Sequence, residues 1–115
     1  MFKSVQTWIK DGALVAKTAI DSNGTWQLAD TQQIRSDVLT RIVCSSQAAD
    51  ASGATVAVGI RTKAGLTPIA VTGGSKVLAG LATGQDNIEV DFRPMGNICI
   101  TVTGYIAPIV VEVVQ

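Results

Sequence analysis

Gly73-Gly74-Ser75-Lys76 is the stretch of this chain that most resembles a chemical motif. It has the small residues, the hydroxyl and the cation of a phosphate-binding loop. It lacks the two-glycine frame that precedes Gly-Lys-Ser/Thr in such loops, and no helix is predicted to follow. A glycine-rich turn explains it better. Cys44 and Cys99 both lie in runs that alternate like strands. The chain contains no histidine, so it lacks the commonest partner for activating a thiol and the commonest zinc ligand. The two cysteines read as small buried hydrophobes, and a disulfide is disfavoured without a secretory signal.

The nine acidic residues lie mostly in expected turns, loops and strand ends, where aspartate is ordinary turn chemistry. A calcium site built from loop carboxylates, for example Asp50 with Asp86, has no supporting ligand spacing. A carboxylate pair for glycoside hydrolysis would need a cleft, and sequence does not reveal one. Trp8, Trp26 and Tyr105 would make a sugar-stacking platform only if exposed together. At 4% aromatic content, tryptophans read more readily as core or interface anchors. Asn23-Gly24-Thr25 matches a glycosylation acceptor but reads as a tight turn. No catalytic, metal-ligating or cofactor-binding residue is assigned, and no cofactor is implied.

The elements that must position these residues are strands. Val38 to Ser45, Thr55 to Thr62 and Ile88 to Arg93 alternate apolar and polar residues with period two. Ala13–Ile20 and Thr25–Leu28 flank the turn Asp21-Ser22-Asn23-Gly24. Asp30–Ser36 is polar, with a capping-box pattern that permits one helical turn. Leu66–Thr72 is a short strand whose start Pro68 demotes to an edge or bulge. Gly73-Gly74-Ser75 turns the chain into a weak strand from Lys76. Met1–Lys10 reads as an extended arm or an edge strand.

The longest charge-free run, Pro94 to Val111, approaches the length of a membrane span. Its β-branched residues and the interruptions at Gly96, Gly104 and Pro108 predict strands instead. Ile98, Ile100 and Val102 form a core face. Beyond a corner at Gly104–Pro108, Ile109, Val111 and Val113 share one face, while Val110 and Val114 flank Glu112 on the other. Apolar residues on both faces predict burial on both. We therefore expect a subunit interface built from Trp8, Ile109, Val110, Glu112 and Val114, with Arg41, Arg61 or Arg93 pairing with Glu112. An edge strand with Glu112 in solvent is the alternative. Removing Ile109–Gln115 is expected to lower oligomer mass or solubility.

Together these segments predict an all-β, single-domain β-sandwich of about eight strands, jelly-roll-like or a related Greek key. Hydrophobic residues make up 47% of the 115 residues and charged residues 16%, below the usual quarter. Nine basic and nine acidic residues cancel. No basic face for nucleic acid is implied, and zero net charge is unfavourable for a free monomer. Lys3, Lys10 and Asp11 break up the N-terminus before a signal-peptide core forms, so neither secretion nor a membrane is expected.

The stretches SDVLTRIVCSS (36–46), TVAVGIRTKAGLTPIAVTGG (55–74) and NICITVTGYIAP (97–108) alternate in a way that resembles small virion proteins of tailed bacteriophages, of the head decoration or cement type. The resemblance lies in composition and strand pattern, and no residue roles carry over. It implies a non-enzymatic homo-oligomer, a trimer by preference, that binds the major capsid protein or another virion shell. It also implies a location in the virion after synthesis in the host cytoplasm, and an N-terminal arm within Met1–Lys10 that reaches a neighbour. A tail or neck component, or a carbohydrate- or receptor-binding module, is the alternative. An enzyme fits least, for want of a nucleophile, phosphate or metal motif.

Overall fold

The computed structural model describes residues 6–10, 13–27, 38–46, 54–63, 65–78 and 87–115. Nine strands run through them: β1 (Gln6–Lys10), β2 (Ala13–Ile20), β3 (Gly24–Gln27), β4 (Thr40–Ser46), β5 (Thr55–Arg61), β6 (Ile69–Val77), β7 (Asn87–Phe92), β8 (Asn97–Thr103) and β9 (Ile109–Val114). They form a β-sandwich with one sheet ordered β1-β2-β9-β4-β7 and the other β3-β8-β5-β6. Every pairing is antiparallel.

The pairs β2·β9, β3·β8, β4·β7 and β5·β6 nest inside one another along the chain. Such nesting describes a long two-stranded ribbon wound into a barrel-like sandwich, which is the jelly roll. Strand β1 extends one sheet by pairing with β2, Trp8 opposite Val15. Residues 6–10 are thus an edge strand, one of the two forms expected for Met1–Lys10, and residues 1–5 lie outside the described residues. The expected helical turn at 30–36 and the calcium candidates Asp50 and Asp86 lie outside the described residues.

The core follows from the period of two. Strand β9 alternates buried and half-buried residues along its length, and β7 alternates exposed and buried ones. The inward residues Ile20, Ile42, Val56, Ile98, Ile100, Val102, Ile109, Val111 and Val113 are at most 2% exposed and fill the space between the sheets. Ile98, Ile100 and Val102 are core, as the sequence predicts.

Two expectations change. Gly73-Gly74-Ser75 is not a turn between strands. One edge strand, β6, runs from Ile69 to Val77, and its pairing with β5 jumps from Ala57↔Ser75 to Gly59↔Ala70. Residues 71–74 therefore oppose Val58 alone, a wide bulge that bends the edge strand. The bulge needs its glycines: Gly73 has φ of 74°, and a Cβ on Gly74 would lie 2.9 Å from the carbonyl oxygens of Val58 and Val71. The second change concerns β9, which is an interior strand flanked by β2 and β4. Glu112 is therefore not on an edge.

Candidate functional site

The thiols are out of reach. Cys44 lies in β4 and Cys99 in β8, in different sheets. Both are free and fully buried. Burial pushes the Cys44 thiol up to about 12. Burial also raises the Cys99 thiol, opposed in part by the charge of Arg61. Both shifts disfavour the thiolate, the nucleophilic form. Among the described residues no group of three or more Cys, Asp or Glu is placed to hold a metal ion.

Trp26 and Tyr105 do not form an open platform. Trp26 and Tyr105 are half-buried and packed against the core. The Tyr105 backbone N–H donates to Asn23 Oδ1 at 2.7 Å, so Asn23 ties the β2–β3 turn to the corner after β8. Trp8 is placed by its backbone alone, on the row that continues through Val15 of β2 to Val114 of β9.

Of the expected interface residues, Ile109 faces inward and is fully buried. It shares the core face with Val111 and Val113, because strand parity separates it from Val110. The other three on β9, Val110, Glu112 and Val114, are half-buried on the outward face of the five-stranded sheet. Burial is therefore complete on one face of β9 and partial on the other. Glu112 stands opposite Lys17 of β2 and Val43 of β4.

Two of the three arginines expected near Glu112, Arg41 and Arg61, are engaged with other groups of the chain. Arg41 of β4 reaches across to β7: its Nε donates to Asp91 Oδ1 at 2.9 Å and lies 3.1 Å from Glu89 Oε1, and its Nη2 donates to Asp91 Oδ2 at 3.3 Å. The hydrogen bond from Arg41 holds Asp91 below the usual carboxylate range. Arg61 Nε donates to Gln27 Oε1 at 2.8 Å, and its Nη1 donates to the Leu66 carbonyl at 3.2 Å. Arg93 is exposed in the connection between β7 and β8. The outward face thus carries Val43, Val110 and Val114 among three carboxylates, Glu89, Asp91 and Glu112, and the cations Arg41 and Lys17, with Lys10 of β1 placed on the same face by its backbone register.

A second surface lies at one end of the sandwich. The β5–β6 and β7–β8 connections meet there, since Arg61 pairs with Asn97 and a Cβ on Gly96 would lie 3.0 Å from the Arg61 carbonyl oxygen. This close approach sets Met95 beside the segment that Arg61 anchors. Leu66, Ile69 and Met95 are 51%, 69% and 70% exposed. With Ile60 and Arg61 they line a recess of about 250 Å³. Lys63 and Arg93, both exposed, sit in the same two connections. The sequence predicts a strand from Leu66, whereas β6 begins at Ile69 and leaves Leu66 in the connection. Each connection carries a large apolar residue, Leu66 and Met95, where polar residues are the rule.

A third hollow, of about 310 Å³, lies over the outer face of the four-stranded sheet beside the β6 bulge. Thr25, Thr101, Ala57, Gly59, Ala70 and Ser75 line it. The Thr25 and Thr101 hydroxyls bond to each other at 3.0 Å.

Compared with protein-family models, with curated proteins and with solved structures, the chain matches none.

Proposed function

We propose that this chain is a non-enzymatic structural protein that works as a homo-oligomer, a head decoration or cement protein seated on a virion shell. The observation that carries the reading is the recessed end where Leu66, Ile69 and Met95 stand more than half exposed. Large apolar side chains grouped at the surface of a soluble domain mark contact with another macromolecule. The chain has few charges with which to offset them, at 16% of residues and zero net charge. The half-buried apolar residues around Glu112 add a second surface of the same kind. The jelly roll itself serves many functions and supports the reading only by compatibility.

The test is the native mass of the purified chain at micromolar concentration, followed by co-sedimentation with shells of tailed-phage virions stripped of minor proteins. A closed oligomer, a trimer by preference, that saturates the shell at a fixed stoichiometry is expected. A strictly monomeric species that binds no shell sinks the proposal.

A further inference from the structure

We propose that Asn23 is a site of spontaneous covalent modification, where the backbone nitrogen of Gly24 closes a succinimide ring that water opens to aspartate or isoaspartate. The proposal stands apart from how the chain assembles. Asn23 is exposed to water in the β2–β3 turn. The residue after it has no side chain to shield the attacking nitrogen. The oxygen that must take up charge already has a donor, since the Tyr105 N–H donates to Asn23 Oδ1 at 2.7 Å. A hydrogen bond aimed at an oxygen where charge develops lowers the barrier. The other two asparagines differ. Asn87 and Asn97 begin strands β7 and β8, and each precedes a β-branched isoleucine whose bulk crowds the nitrogen.

The step is redox-neutral and consumes only water. Hydroxide removes the Gly24 amide proton, and the nitrogen attacks Asn23 Cγ. A nitrogen–carbon bond forms and the carbonyl electron pair moves to Oδ1. Its return expels Nδ2, which takes a proton from water and leaves as ammonia. Water then adds to one of the two ring carbonyls. Breaking the bond to Cγ leaves aspartate. Breaking the bond to the backbone carbonyl carbon leaves isoaspartate, with the main chain routed through Cβ. Either product adds one negative charge to a chain whose formal net charge is zero. The fold keeps the susceptible pair in place. Gly24 has φ of 138°, and a Cβ there would lie 3.2 Å from Trp26 Cζ2, so a larger residue at 24 is strained. The two products differ in their structural effect. Aspartate still offers an oxygen to the Tyr105 N–H, and its charge strengthens that bond. Isoaspartate inserts a carbon into the turn and displaces the carboxylate, so the tie between the turn and the corner after β8 is lost.

The experiment incubates the full chain at mildly alkaline pH, folded in buffer and unfolded in guanidinium, and follows its tryptic peptides by mass spectrometry. In the folded chain Asn23 is expected to convert to the acid with release of ammonia, at a rate within about tenfold of the unfolded one. Asn87 and Asn97 should stay intact over the same time. Asn23→Gln should slow the release by at least about tenfold, because its ring needs a further carbon. Asn23→Asp should melt like the unsubstituted chain, whereas isoaspartate-bearing protein, separated by ion exchange, should melt at a lower temperature. An Asn23 that stays intact in the folded chain and converts only in guanidinium overturns the proposal. So does conversion of Asn87 or Asn97 at the same rate. Equal melting of all three species overturns the part given to the Tyr105 bond.

Discussion

Cys44 shows how far burial governs the chemistry of single residues in this molecule. Its thiol sits in the core beneath β4, fully buried, and is pushed up to about 12. An unfolded chain holds the same thiol near 8.5. The folded state thus favours the neutral thiol. The stability this contributes is fully present below the unfolded value and is lost as pH rises from there toward about 12. The expected slope in that window is a loss of up to about 1.4 kcal/mol per pH unit. Denaturant melts between pH 8 and pH 10 check it: Cys44→Ala should flatten the alkaline decline relative to the unsubstituted chain. Neither Cys44 nor Cys99 should react with a thiol reagent in the native protein, and both should react in denaturant. The Arg41 pair behaves differently, since all three side chains are about half exposed. Solvent screens it, and it orients the face more than it stabilises the fold.

Among the elements, β6 gives the sharpest contrast. Gly74 and Gly65 are both glycines in the same part of the chain, for different reasons. A Cβ on Gly74 would strike two carbonyl oxygens within the bulge, whereas around Gly65 there is nothing within 4 Å and only a φ of 88° to satisfy. Gly74→Ala should cost about 1–3 kcal/mol through overpacking, and Gly65→Ala about 1–2 kcal/mol through backbone strain alone. Thermal melts measure both. A selective rise in amide exchange along β6 and the facing part of β5 should accompany only the first. The same bulge marks what was legible in the sequence. Alternation along β5, β7 and β8 predicted the inward residues Val56, Val58, Ile88, Val90, Ile98, Ile100 and Val102; the opposite face is exposed in β7 but largely covered in β5 and β8, where Cys99 is fully buried. Gly73-Gly74 looked like a turn because glycine at positive φ serves a bulge as well as a hairpin, and local composition does not distinguish them. Ile109 was placed at an interface although its own parity with Val111 and Val113 pointed inward. The end recess went unseen because it joins residues from two connections, and only the tertiary pairing of Arg61 with Asn97 brings them together.

At the scale of the whole molecule, the sheet order assigns β9 a part that no local pattern announces. It lies between β2 and β4, with Val15 opposite Val114 on one side and Arg41 opposite Val114 on the other. Its partner β2 comes from the far end of the chain, and β4 reaches it across the intervening strands. Until residues 109–114 are in place, β2 and β4 have no common neighbour and the five-stranded sheet is two separate pieces. Cutting the chain after Pro108 should therefore abolish the cooperative melt itself, and not merely reduce assembly; a folded truncated monomer would contradict this. The wound ribbon also has a consequence in time. Contacts that join the two ends of a sequence are the slowest to find, because a long loop must close before any of them is made. While the chain searches, β2 and β4 present bare edges able to pair with another chain. Newly made copies would thus be most prone to aggregate in the interval before their last strand threads into the middle of the sheet, and yield from a host should rise when synthesis is slowed or cooled.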